Sequence, residues 1–246
     1  MKTFFKYVVP AVFMALFAMD MSAQIQPTID PTATYTDSEG TETEIHAGES
    51  YSGSAPLLVH FAANPADADG WTSYYEWRFF QEGEENAPYL TRYEQDTEYT
   101  FTTAGAHRIV CYATFTQGTE RIEYTQEYWT QETSPISISI SESRLEMPNA
   151  FSPNGDGIND IYKAKSGYQS LVEFKATIFN RWGVKLFEWT DPAEGWDGTY
   201  KGKDDAQGVY FVLVKAKGAD GRTFNIRRDV NLLRGYTESS GASTNE

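Results

Sequence analysis

His107-Arg108-Ile109-Val110-Cys111-Tyr112-Ala113-Thr114-Phe115 is the stretch that decides the fold. His107, Ile109, Cys111, Ala113 and Phe115 fall on one face of an extended chain, because alternate strand residues point to opposite sides. Working outward, Ile136, Ile138 and Ile140 alternate with serines and predict a half-buried last strand. Tyr74 to Phe80 predict an aromatic strand around Trp77, followed by the charged turn 81–88. Leu57, Val59 and Phe61 share a face, with Leu58 and His60 on the other, and Glu98 to Phe101 lead into Ala104-Gly105. Residues 24–50, rich in Thr, Glu, Asp and Ser, read as an extended leading segment or an edge strand. Short alternating runs between Gly, Asn and Asp turns, with no long stripe of helical period, predict an all-β sandwich or barrel.

Charge divides the chain. Residues 24–143 hold four basic residues (Arg78, Arg92, Arg108, Arg121), no lysine and twenty acidic residues, a net of −16. Residues 144–246 hold fourteen of each sign and are neutral. That asymmetry predicts two separately built modules, 24–143 and 144–246, joined near Ser141–Glu146. The acidic first module argues against nucleic acid, whose binding rests on Lys and Arg neutralising phosphates. Residues 1–23 read as a cleaved signal peptide. Lys2 and Lys6 precede an apolar run from Val8 to Met19, too short to span a bilayer, with a cut expected after Ala23. No cysteine follows that run, so no lipoprotein anchor is expected, and no later segment reads as membrane-spanning. The single cysteine, Cys111, forbids an internal disulfide and reads as a small core residue.

The first module resembles a PKD domain, an immunoglobulin-like extracellular module, over residues 50–141. The resemblance rests on Ala55-Pro56-Leu57 before an alternating strand, on Tyr75-Glu76-Trp77-Arg78-Phe79, and on Phe101 to Ile109. His107 stands where that family has tyrosine, and its Gly-Asp-Gly turn after the tryptophan strand is missing. The resemblance implies a β-sandwich used for spacing or binding.

The second module carries sharper motifs. Met147-Pro148-Asn149-Ala150-Phe151-Ser152-Pro153-Asn154-Gly155-Asp156-Gly157-Ile158-Asn159-Asp160 opens it. A strand from Leu171 to Phe179, the turn Asn180-Arg181-Trp182-Gly183 and a strand through Trp189 follow. Gly195-Trp196-Asp197-Gly198, Gln207-Gly208-Val209-Tyr210, a hairpin at Gly218–Gly221 and a closing strand Phe224 to Leu233 complete it. Trp182 and Trp196 both sit beside turn glycines, where an indole can cap a core while its N–H reaches a carbonyl. Together these features predict a second immunoglobulin-like β-sandwich.

This ordered set resembles the gliding-motility-associated C-terminal domain, the type B sorting signal of the type IX secretion system, over residues 147–234. The resemblance implies passage across the inner membrane on the N-terminal signal, then across the outer membrane to the cell surface on this domain. The partners implied are the type IX translocon and outer-membrane proteins. Residues carried over as the sorting motif are Pro148, Asn149, Phe151 to Gly157, Asn159, Asp160, Asn180 to Gly183, Trp196, Asp197, Gly198, Gly208 and Tyr210. The tail from Gly235 to Glu246 departs from the family, whose members stop near the closing strand.

No catalytic residue is expected from the sequence. His46 lies in the polar leading segment, His60 on an outward face and His107 on a core face. Neither a Gly-x-Ser-x-Gly elbow, a His-Glu-x-x-His pair nor a phosphate-binding glycine loop occurs. Asn154, Asp156, Asn159 and Asp160 would suit a hard cation such as calcium, or would serve a turn in which Asn and Asp cap backbone N–H groups. The turn is the preferred reading, and no cofactor or metal is expected. Trp71, Tyr74, Tyr75, Tyr124, Tyr128 and Trp129 form either a sugar- or protein-binding patch or core pairs. The function expected is therefore a non-enzymatic cargo or component of type IX secretion. A component resembling the small type B proteins of the Por secretion system would be linked to signalling from the outer membrane. The alternative is a cell-surface carbohydrate- or protein-binding accessory module.

Overall fold

The computed structural model describes residues 26–37 and 40–235. The signal peptide expected over 1–23 and the tail 236–246 lie outside the described residues.

Strands β1 (Thr32–Thr36), β2 (Glu42–His46), β3 (Ser50–Gly53), β4 (Leu57–Ala62) and β5 (Thr72–Gln81) open the chain. They are followed by β6 (Leu90–Arg92), β7 (Asp96–Phe101), β8 (Gly105–Gln117), β9 (Glu120–Tyr124), a short helix α1 (Gln126–Gln131) and β10 (Ile136–Ile140). One sheet runs β2-β1-β4-β7, and a second runs β3-β10-β8-β5-β6 with β9 added to β8. Aromatic side chains interlock between the two sheets. Phe61 of β4 meets Trp77 and Phe79 of β5 at ring separations of 5.6 and 5.2 Å, the latter edge to face. The alternation read from His107 to Phe115 holds residue by residue: all five side chains of that face are buried.

Two features of this module depart from the sequence reading. Residues 26–49 supply β1 and β2 and lead into β3, and Ala33 of β1 is fully buried between β2 and β4. The isoleucine strand β10 is half-buried, as its alternation reads, and lies parallel to β3 and antiparallel to β8. The second departure is α1, which fills the gap along β8 between its β10 and β9 partners. There the Trp129 indole N–H reaches the Cys111 carbonyl at 2.9 Å, satisfying a backbone acceptor that no strand pairs.

The second module contains β11 (Ala150–Phe151), β12 (Leu171–Phe179), β13 (Lys185–Trp189), β14 (Thr199–Tyr200), β15 (Lys203–Asp204), β16 (Gly208–Gly218) and β17 (Thr223–Leu232). Its main sheet runs β11-β17-β16-β12-β13. Ala176, Ile178, Val212, Val214, Val230 and Leu232 line its inner face, covered by Leu145, Met147, Tyr162 and Trp196 from irregular chain and the β14–β15 ribbon region. Among the described residues the regular structure is all β apart from α1. Among the described residues no helix is long and apolar enough to cross a membrane.

A hydrogen-bonded joint links the two sets of strands. The β16–β17 hairpin tip enters the base of the first core: Ala219 is 8% exposed and accepts the Ala104 N–H at 3.0 Å. Ser170 accepts the Ala55 N–H at 3.1 Å, and Asp220 accepts from the Ser143 N–H and hydroxyl at 3.2 and 2.7 Å. The joining segment is held on both sides as well, since Arg144 and Gln169 exchange both backbone bonds at 3.0 Å.

Candidate functional site

Strand register locates the sorting motifs. Gly218 pairs with Leu171 at the joint end of the sheet, whereas Phe211 pairs with Phe179 and Gly208 with Leu232 at the other. The Asn180–Gly183 turn, the start of β16 and the end of β17 therefore share the pole of the second module that faces away from the first. Strand β11, with Phe151 opposite Leu232, brings the opening motif to the same pole. Four motifs separated by up to sixty positions in sequence are thereby gathered in one place.

The opening motif closes on itself. Asp160 accepts backbone N–H groups from Asn154 (2.9 Å), Gly155 (2.8 Å) and Gly157 (2.8 Å). Asp156 accepts the Ile158 N–H at 2.8 Å, and Asn154 accepts the Asp156 N–H at 2.9 Å. These bonds from Gly155 and Gly157 hold the Asp160 carboxyl below its ordinary 3.8. Its oxygens thus already serve three N–H donors, which is the work the turn reading assigns to them. A group with a depressed folded-state pKa contributes stability above its ordinary value, and the contribution is lost as pH falls through the folded value. The full chain should therefore show equal melting temperatures in calcium and in chelator near neutral pH. Asp160→Asn should lower the melting temperature at neutral pH but much less in acid, once pH has fallen through the depressed folded-state value. A calcium-dependent rise that Asp160→Asn abolishes would assign the loop to the metal instead.

The third motif is the centre of the core. Trp196 is fully buried, packed against Phe151 and Tyr210 at 5.4 and 4.9 Å, and its indole N–H reaches the Thr199 carbonyl at 2.7 Å. Trp196 and Tyr162 exchange both backbone bonds, at 2.8 and 3.0 Å. Gly195 is required here because a Cβ at that position would meet the Tyr162 carbonyl oxygen. Gly198 is required for another reason: its φ of +80° lies in the left-handed region. Asp197 accepts both the N–H and hydroxyl of Thr199 at 2.9 and 2.8 Å.

Trp182 does not cap the core as the sequence reading expects. It is 75% exposed, and the Arg181 guanidinium lies 4.9 Å from its ring. The reason is the turn itself. Asn180 accepts the N–H groups of Trp182 and Val184 at 3.0 Å each, closing a tip that projects beyond the sheet. Ile158, Val184, Val209 and Phe211 are also exposed toward this pole.

Arg234 is the residue that sequence reasoning missed. It donates to the carbonyls of Gly198 (2.7 Å), Asp205 (2.9 Å) and Pro153 (3.4 Å), tying the opening motif, the tryptophan turn and the approach to β16 together. Arg228 similarly donates to the Met147 carbonyl at 2.8 Å. Pro148 and Asn149 also serve through their carbonyls, accepting from the Tyr162 hydroxyl at 3.0 Å and the Asn231 N–H at 2.9 Å.

His107 and His60, outside this pole, have structural partners. His107 is buried between the Tyr89 hydroxyl (3.1 Å) and the Thr103 carbonyl (3.0 Å), and burial lowers its pKa. His60 lies 3.3 Å from Glu98, and burial pushes the Cys111 thiol up. Of the two readings of the six aromatics, the structure favours the core one. Tyr75 and Trp129 are core residues, and Trp71, Tyr124 and Tyr128 pack against that core, leaving Tyr74 exposed.

Residues 145–226 match the family model of the CHU_C type IX secretion signal domain. No curated protein matches the chain. Similar solved structures include a tetra-tandem repeat from the extending region of a large adhesion protein, at 12% identity and a TM-score of 0.26, covering 85% of this chain and 68% of that one. Dimeric latent PorU from Porphyromonas gingivalis gives 12% identity and a TM-score of 0.25 over 85% of this chain and 20% of PorU. The chicken CNTN1 FN1–FN3 domains give 7% identity and a TM-score of 0.28, with coverages of 82% and 74%. The resemblance read from the motifs is thus met by a family match, over residues 145–226, to the type IX secretion signal domain.

Proposed function

We propose that the chain is a non-enzymatic cargo of type IX secretion, displayed at the outer membrane, whose second module presents its signal from the pole facing away from its passenger. The secretion-signal match implies export by that system. The observation that carries the finer reading is the gathering of all four motifs, with exposed Trp182, Val184, Val209 and Phe211, at the pole remote from the joint. A signal read there is reached without disturbing the first module. Clustered exposed apolar groups on an otherwise polar module mark an interaction surface. In the full chain, Trp182→Ser with Phe211→Ser should leave melting nearly unchanged, since neither side chain is in the core. Surface display should fall roughly tenfold or more, as expected for truncating aromatic anchors. Unchanged display, scored by protease access on intact cells, would remove this pole as the recognised face.

A further inference from the structure

Of the four basic residues in the acidic first module, three line one groove. It lies on the outer face of β5 and β8, beside α1. Two adjoining cavities of about 520 and 380 Å³ share Arg78, Tyr112 and Gln126. Arg121 lines one of them and Arg108 the other. Tyr74 and Phe80, at opposite ends of the groove, are six residues apart on β5, so it runs for about 20 Å at the usual strand rise.

Each arginine is already paired. Arg78 bonds Glu76 through Nε at 2.7 Å while its guanidinium lies 4.3 Å from the Tyr112 ring centroid. Arg121 pairs with Glu123, and Arg108 lies 3.5 Å from both Glu82 and Glu85. Neutralised pairs in a module of net −16 do not suit a polyanion. An extended peptide adding to a sheet needs a free strand edge, whereas this groove runs over strand faces. Side-by-side guanidinium and carboxylate groups offer donors and acceptors together, and that combination matches hydroxyls, which both donate and accept. Tyr74, at 50% exposed, adds ring surface against which an apolar face can pack.

We propose that this groove binds a neutral oligosaccharide, with Arg78 and Glu76 bonding adjacent hydroxyls and the exposed Tyr74 ring holding a sugar face. The inference is independent of how the chain is exported. Its test is titration calorimetry on the full mature chain with short uncharged gluco-, manno-, galacto- and xylo-oligosaccharides. Uronic-acid oligosaccharides and acidic peptides are run beside them. At least one neutral series should bind, with little change between low and high salt, since no net charge is neutralised. Glu76→Gln and Arg78→Met should each weaken binding about tenfold, the equivalent of roughly 1.4 kcal/mol for a lost charge-assisted bond. Tyr74→Ala, which changes an exposed residue and spares the fold, should weaken it severalfold, and Trp182→Ser in the other module should not. Binding of acidic ligands only, binding abolished by salt, failure of every neutral series at millimolar concentration, or full affinity in Tyr74→Ala and Arg78→Met would each overturn the proposal.

Discussion

Trp196→Ala should cost about 3–5 kcal/mol, the range for deleting a fully buried aromatic side chain, and should abolish surface display. Trp196 is fully buried, sits between Phe151 and Tyr210, and holds the Thr199 carbonyl through its indole N–H. Alanine would leave a cavity where segments 145–165 and 195–210 meet, and would strand that carbonyl. Domains of this size have only about 5–15 kcal/mol of total stability, so most of the margin would be lost. In melting temperature the loss is roughly 15 °C or more for a domain near 100 residues. Calorimetry of the full chain should show the second module's transition moved down or missing. Trp182→Ser is the matched contrast, a tryptophan of the same motif set at 75% exposure whose removal should barely move the melt. If the two substitutions had equal effects on stability, the division between a core tryptophan and a presented one would be wrong.

Much of this architecture is legible in the sequence because alternation is local information. His107 to Phe115, Tyr74 to Phe80 and the isoleucine strand each carry their own inside and outside, and the structure keeps those faces. The order of the motifs was likewise readable, since each consists of turn residues with strict backbone demands. What was not readable depends on partners distant in sequence. Ala219 looks like an ordinary hairpin residue, and only its contact with Ala104 shows it to be part of the first core. Arg234 follows the closing strand as one more basic residue until its donors meet Gly198, Asp205 and Pro153. Trp182 and Trp196 share the same local pattern of tryptophan beside glycine, and only the projection of the Asn180 turn separates their fates. Helix α1 spans six residues, too short for helical periodicity to stand out, and it is held by the Trp129 bond to β8 rather than by its own propensity. Thr32 to His46 read as polar because few of its residues, among them Ala33, Tyr35 and Ile45, turn apolar side chains toward the core.

The second module has its own core, in which Tyr162, Ala176, Ile178, Val214, Trp196, Val230 and Leu232 are at most 4% exposed. Its contacts with the first module include a few hydrogen bonds and two apolar residues at the joint, Ala219 and Val172, the pattern of an interface between separable domains. It should therefore fold, and act, when moved. The most direct measurement places residues 144–246 behind a signal peptide and a fluorescent protein that folds in the periplasm. Protease access to the reporter is then compared on intact secretion-competent and secretion-deficient cells. The account predicts a reporter cleaved from outside in the competent cells and protected in the deficient ones, an all-or-none difference. A reporter protected in both, with the attached module shown to be folded, would contradict the claim that this module is an export signal.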